Sequence, residues 1–360
     1  MFTPRYVKHS KLLVRHAKKF LRYKRDIMDA ETYDIIAGDI RRLDAALKQR
    51  DRKQIESRAE DLDAKLHQLT PVTWESHWRE NCEVILVAIV VAVGIRSYFL
   101  QPFKIPTGSM QPTLNGIIGY QMAAEPPNIL QQVAEFVLRG RNYINVVSSE
   151  EDEVVQVQPK KILFFFTFSR IKCRYQEFNW VYCPPDHLRD DFKVSSGMRY
   201  HRGEVIARGA VDTGDQVFVD KFSYNFVKPH RGDVFVFRTR NIPDIGDQTQ
   251  FYIKRLAGLP GDTLRIMPPK LYVNENIAEG FGFQRVMAAQ DGYRGYGPGH
   301  LVLSDPTKTF QVPEHSYFAM GDNSYNSFDS RWWGPVPERN LVGRGLFVYW
   351  PFIPHWGLIR

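Results

Sequence analysis

The feature that most constrains this chain is a stretch without a single charge, Val84–Ile95, set between two tryptophans and an arginine. Trp74 and Trp78 precede it, and Arg96 and Ser97–Phe103 follow. The uncharged core alone is short for a bilayer. Extended through Tyr98, Phe99 and Leu100 it reaches roughly 17 residues, about 26 Å as helix, and a few flanking residues bring it to a span. Arg96 then lies about one turn from the far end, where its long stem can snorkel to headgroups. The two tryptophans supply the aromatic belt on the near side. The pattern predicts a transmembrane helix over 82–101, with a buried helix of a soluble protein as the alternative. About 80 residues stand ahead of the run, which argues against a cleaved leader. Their basic excess places the N-terminus inside.

Those first residues, 1–80, read as a helical region. Ile36, Ile40, Leu43 and Leu47 mark one helical face, and Ile55, Ala59, Leu62, Leu66 and Leu69 mark another. The two series lose phase across Gln49–Lys53, which fits a helical hairpin or a coiled coil with a stutter. Upstream, Leu13, Ala17 and Phe20 lie among lysines and arginines, so Lys11–Arg25 reads either as a helix resting on anionic lipid or as a basic helix packed on the hairpin. The net charge of +8 in 360 residues suits a negatively charged partner. Its concentration near the N-terminus, from Arg5 through Lys53, completes no nucleic-acid motif, so a lipid bilayer is expected and nucleic acid is not.

After Pro102 the periodicity changes. Gln216–Asp220, Asp233–Arg238, Phe251–Leu256, Lys270–Val273, Tyr317–Met320 and Gly345–Trp350 are short β-branched and aromatic runs punctuated by Gly and Pro. A mainly β fold is expected past the apolar run. A long segment, 121–211, carries further strand-like runs at Asn142–Val147, Val154–Val157, Ile162–Phe168 and Trp180–Tyr182, and reads as a β-rich insertion. The three cysteines are too few for a disulfide scaffold. Cys173 and Cys183 read either as a hairpin disulfide or as two unpaired thiols. No set of side chains has metal-ligand spacing, and no cofactor is expected.

The chemistry concentrates in Pro106-Thr107-Gly108-Ser109-Met110-Gln111-Pro112. A serine after glycine and between prolines sits on a constrained turn. The Thr107 hydroxyl and the Ser109 backbone N–H can point to one place, as an oxyanion site requires. None of His187, His201, His230, His300 and His315 stands in a recognisable catalytic context, and Pro112 at the third position after Ser109 excludes a Ser-x-x-Lys motif. Lys254, in Tyr252-Ile253-Lys254-Arg255-Leu256, shares a strand face with Tyr252 and Leu256. A lysine serves as a base near neutral pH only when burial lowers its pKa by two to three units, about 3–4 kcal/mol.

The serine segment, together with Gly214–Phe222, Arg231–Phe237, Tyr252–Asp262 and Met320–Arg331, resembles the ordered sequence boxes of type I signal peptidases, the Ser/Lys serine proteases that remove leader peptides. The resemblance implies a signal-peptidase-like antiparallel β catalytic domain over 102–120 and 212–360. It implies Ser109 as nucleophile, Lys254 as general base, and Thr107 with Ser109 as the oxyanion site. Ser327 would orient the lysine amine, with Asp329, Arg331 and Asp322 supporting the site. Phe103, Ile105, Met110, Leu114, Tyr252 and Ile253 would line pockets for small side chains.

The implied reaction is removal of signal peptides from exported preproteins after small, Ala-X-Ala-like residues, through an acyl-enzyme. The implied place is the bacterial cytoplasmic membrane, single-pass, with the N-terminus cytoplasmic, the β region outside and the secretion machinery nearby. Ser324-Tyr325 departs from the family, which typically has an Arg-Asp pair there, and the 121–211 segment is longer than in many members. Two other classes compete with this reading. One is an inactive relative that only binds exported chains, against which the intact serine and lysine boxes argue. The other is a soluble self-cleaving Ser/Lys repressor, which would lack the span.

Overall fold

The computed structural model describes residues 4–69, 74–162 and 166–360. The chain divides into two compact units, Met1–Val91 and Ala92–Arg360. Taken whole, the fold is mixed α and β rather than mainly β, because long helices occupy most of the first hundred residues.

The first unit contains three helices, α1 (Arg5–Lys24), α2 (Ala30–Gln49) and α3 (Arg52–Leu69), around one apolar core. Leu13, Val14, Ala17 and Leu21 of α1 meet Ile36, Ile40 and Leu43 of α2 and Ile55 and Leu62 of α3. Leu13 and Ala17 of the expected lipid-facing set are therefore buried against neighbouring helices, while Phe20 is half-buried. Asp29 caps α2 by accepting from Thr32 N at 3.0 Å. Arg50, with φ 58°, reverses the chain into α3. Residues 70–73, within the expected helical stretch, lie outside the described residues.

A fourth helix, α4 (Trp74–Tyr98), carries the apolar run. Its Glu80–Tyr98 portion has a mean hydropathy of 1.7 and no buried residue, and it is long and apolar enough to cross a membrane. Only Phe99 separates α4 from the first strand, Leu100–Lys104. Lys221 secures this joint, with its backbone N donating to Phe99 O at 2.9 Å and its Nζ to Ser97 O at 2.8 Å. The Phe99 and Phe222 rings stack beside it, centroids 5.3 Å apart.

The main antiparallel sheet runs, in spatial order, Leu100–Lys104, Gln216–Asp220, Leu341–Trp350, Val234–Arg238, Phe251–Gly258, Ser316–Met320 and Val336–Pro337. Its central strands are buried on both faces. Val234 and Val236 enter a core with Ile105, Met110, Leu114, Val217 and Val219. Phe235 and Phe237 point to the other side, toward Tyr317, Ala319 and Trp333. A four-stranded sheet, including Thr263–Met267 and Lys270–Val273, covers a further core with Phe283, Tyr296 and Phe318.

Two more sheets belong largely to 121–211. Val205–Thr213 lies between Ile117–Gln121 and Arg141–Val147. Asp152–Ile162 pairs with Phe166–Cys173, which pairs with Glu177–Val181. The middle of the expected Ile162–Phe168 run, 163–165, lies outside the described residues. Cys173 and Cys183 are free thiols buried in this core. Burial pushes them up to about 11 and about 12, respectively, so both are neutral thiols at ordinary pH. A surface helix, α5 (Ile129–Arg139), connects the first two strands of the three-stranded sheet.

Candidate active site

The site forms where two segments 145 positions apart in the chain converge. Pro106 and Pro112 bracket a single 3-10 turn, Gly108–Met110, which leaves Ser109 at its centre. The Phe251–Gly258 strand starts at an exposed end and becomes buried from Lys254 onward. Lys254 Nζ lies 2.6 Å from Ser109 Oγ, with Lys254 only 5% and Ser109 8% exposed. Burial brings the lysine pKa down to about 8, against the pull of the Asp329 carboxylate and with the help of the Arg331 charge. Thr107 Oγ1 stands 3.5 Å from Ser109 Oγ, on the same side of the turn.

The serine turn is stapled from below. Asn323 donates its backbone N to Ser109 O at 3.0 Å and its Nδ2 to Gly108 O at 3.2 Å. Gly321 permits this approach, since a Cβ there would fall 2.6 Å from Ser109 O and 2.1 Å from Ser327 Oγ. Gly116 is equally tight, since a Cβ there would fall 2.2 Å from the carbonyl carbon of Thr107.

Two buried ion pairs flank this contact. Arg255, on the opposite strand face from Lys254, holds Asp322 with Nε at 2.8 Å and Nη2 at 2.6 Å, and donates Nη1 to Gly232 O at 2.7 Å. Thr113 Oγ1 also donates to Asp322. Arg331 holds Asp329 at 2.8 and 2.7 Å, and Gly321 N donates to the same carboxylate. All four charged side chains are at most 1% exposed, and such burial is tolerable only because each is paired and hydrogen-bonded.

A cleft of about 520 Å³ opens over the pair. Tyr252, Ile253 and Thr107 line it, as do Ser327, Phe251 and the aromatic residues Tyr325, Phe328 and Trp332. Phe103 is half-buried and meets the Phe251 ring edge-on, centroids 5.4 Å apart.

Two expectations change. Ile105, Met110 and Leu114 are at most 2% exposed and pack with Val217, Val219 and Val234, so they form the core under the cleft and not its walls. Ser327 reaches the cleft, yet its buried Oγ has no hydrogen-bond partner among the described residues. The lysine amine it was expected to hold is turned to Ser109 instead. Arg255, Thr113, Asn323 and Gly321 were not anticipated. The usable signal was Arg255 itself, because a charge on the inner face of a central strand requires a carboxylate.

A sequence model described as "Signal peptidase, peptidase S26" matches residues 78–123 and 207–350, just over half of the chain and both segments of the site. The chain is 34% identical over 145 residues to the Synechocystis protein named "Probable signal peptidase I-2", covering 40% of this chain and 59% of that one. It is 38% identical over 131 residues to signal peptidase I V of Bacillus subtilis, covering 36% and 72%. Against signal peptidase I of Pseudomonas aeruginosa it is 35% identical over 206 residues, covering 46% and 66%. The matched stretch thus spans between 59% and 72% of these relatives' own lengths.

Proposed function

The chain belongs to the signal peptidase family, peptidase S26, and from that premise we propose that it is a membrane-anchored serine endopeptidase that removes signal peptides from exported preproteins. The observation that carries this reading is the 2.6 Å approach of a buried lysine amine to a serine hydroxyl at the floor of an open cleft. Neutral Lys254 takes the Ser109 proton as Oγ attacks the carbonyl carbon of the scissile bond. The Ser109 N–H and the Thr107 hydroxyl steady the oxyanion. The lysine returns its proton to the leaving amine, and then activates water to release the acyl group. Asp322, Asp329 and Arg331 hold the backbone around the pair. Cleavage follows small residues, which lie as an extended strand against Phe103, Tyr252 and Ile253.

We assign 82–101 to a span of the bacterial cytoplasmic membrane, 1–80 to the cytoplasmic side, and 102–120 with 212–360 to an extracytoplasmic catalytic domain. The 121–211 segment is an insertion in that domain. The enzyme works beside the machinery that exports its substrates.

The test is cleavage of a preprotein, and of a peptide with an Ala-X-Ala site, by the full chain in detergent, followed across pH. Only the unprotonated amine is a base. With a pKa of about 8, kcat/KM of the free enzyme therefore rises about tenfold per pH unit from pH 6 to 7.5 and levels off above about 8.5. A flat profile over that range, or one that falls as pH rises, overturns the lysine's role.

A further inference from the structure

One wall of the cleft is aromatic, and neither proton transfer nor the fit of small residues requires it. Tyr325, Phe328 and Trp332 line the cleft next to Ser327, and they stay 44%, 43% and 43% exposed. Two of the three are fixed from behind. The Arg294 guanidinium carbon lies 3.9 Å from the centroid of the Tyr325 ring. That ring also packs so closely over Gly297 that a Cβ there would fall 2.5 Å from Tyr325 Cζ. The Trp332 indole stacks on His300, centroids 5.0 Å apart and planes within 3°. Phe328 completes the row, 6.1 Å from Trp332.

Arg294, Gly297 and His300 thus hold two of the rings, while all three remain open to the cleft. Rigid aromatic surface in a concave site is where binding energy concentrates, since little freedom is left to lose when a partner arrives. Tyr325 also falls at a position where this chain departs from the Arg-Asp pattern of the sequences it resembles.

We infer that this wall is a substrate subsite: it takes one large apolar or aromatic side chain of the preprotein, near the cleaved bond but outside the positions restricted to small residues. The inference rests on the peptidase reading above. The occupant is the substrate itself, because the wall borders the same cleft as Lys254 and Ser109.

The experiment uses full-length protein in detergent and a peptide set built on one Ala-X-Ala site. Each position within four residues of the cut carries Ala, Leu or Phe in turn. At one position outside the two small-residue sites, Phe lowers KM about threefold to tenfold relative to Ala, with Leu in between. In Trp332→Ala and Tyr325→Ala that ratio falls toward one. Trp332→Phe and Tyr325→Phe keep most of it, and Phe226→Ala, an exposed aromatic outside the cleft lining, keeps all of it. If no position favours Phe, or if the preference survives both alanine variants, the subsite is wrong while the peptidase reading stands. If wild-type protein cuts none of the peptides and no preprotein, the peptidase reading fails and takes the subsite with it.

Discussion

Replacing Lys254 with methionine lowers kcat/KM by about ten-thousand-fold or more and, at pH 7, makes the folded protein more stable by about 2 kcal/mol. The two effects share one cause. The lysine pKa falls from 10.5 to about 8 because burial opposes the ammonium form, a bias of about 3 kcal/mol. Below pH 8 the amine is protonated in both folded and unfolded chains, and the folded state carries the whole burial cost. Between about 8 and 10.5 the unfolded chain binds the extra proton, so wild-type stability rises with pH. Above 10.5 both forms are neutral and the cost is gone. Methionine has a similar length and no charge, so it removes the cost, less about 1 kcal/mol for the hydrogen bond lost by Ser109. Ser109→Ala loses activity to the same degree, and the double variant loses little more, because the two residues act as one unit. Urea unfolding at pH 7 and pH 10, alongside peptide cleavage, checks both halves. A methionine variant that is less stable at pH 7, or that retains a tenth of the activity, contradicts the assignment.

The second large effect falls on the neighbouring ion pair. Asp322→Leu leaves the Arg255 guanidinium buried without its carboxylate, and Arg255→Met strands the Asp322 carboxylate. Each single change costs about 3–5 kcal/mol. The double variant Arg255→Met with Asp322→Leu recovers at least half of that loss, because two apolar side chains in the same space carry no desolvation cost. Denaturant titration of the four proteins gives the coupling directly. Single variants that lose under 1 kcal/mol would mean that water reaches the pair. Activity falls in the single variants as well, since Arg255 follows the lysine in the chain and Asp322 lies between Gly321 and Asn323, which approach the serine turn.

The fold and the site were legible in the sequence to different degrees. The apolar run of α4, the strand runs from Gln216 onward and the Ser109 and Lys254 segments announce themselves through local patterns, because period, composition and turn residues are local properties. What stayed hidden depends on contacts across long separations. Asn323 meets Gly108 some 215 positions away, and Arg255 finds Asp322 across 67. Ile105, Met110 and Leu114 show why pocket walls are difficult to read. An apolar residue beside the serine turn looks the same whether it faces a cleft or the core beneath it, and only the register of the neighbouring strands decides. The cysteines are similar, since ten positions of separation fit a bridge or two thiols equally well, and in the structure they stand as free buried thiols. Nothing in the α1 sequence alone tells whether Leu13, Val14 and Ala17 face lipid or another helix; the partner faces on α2 and α3 do.

The joint at Phe99 bears on how a substrate is chosen. With α4 across a bilayer, the edge strand leaves the helix after one residue, and Lys221 ties both sides of the junction together. Under the proposed anchoring, the sheet that carries Lys254 would then have a one-residue leash to the lipid-side end of the helix in place of a free linker. On that proposal, a preprotein held in the same bilayer would be cut only at a bond lying within reach of so short a tether.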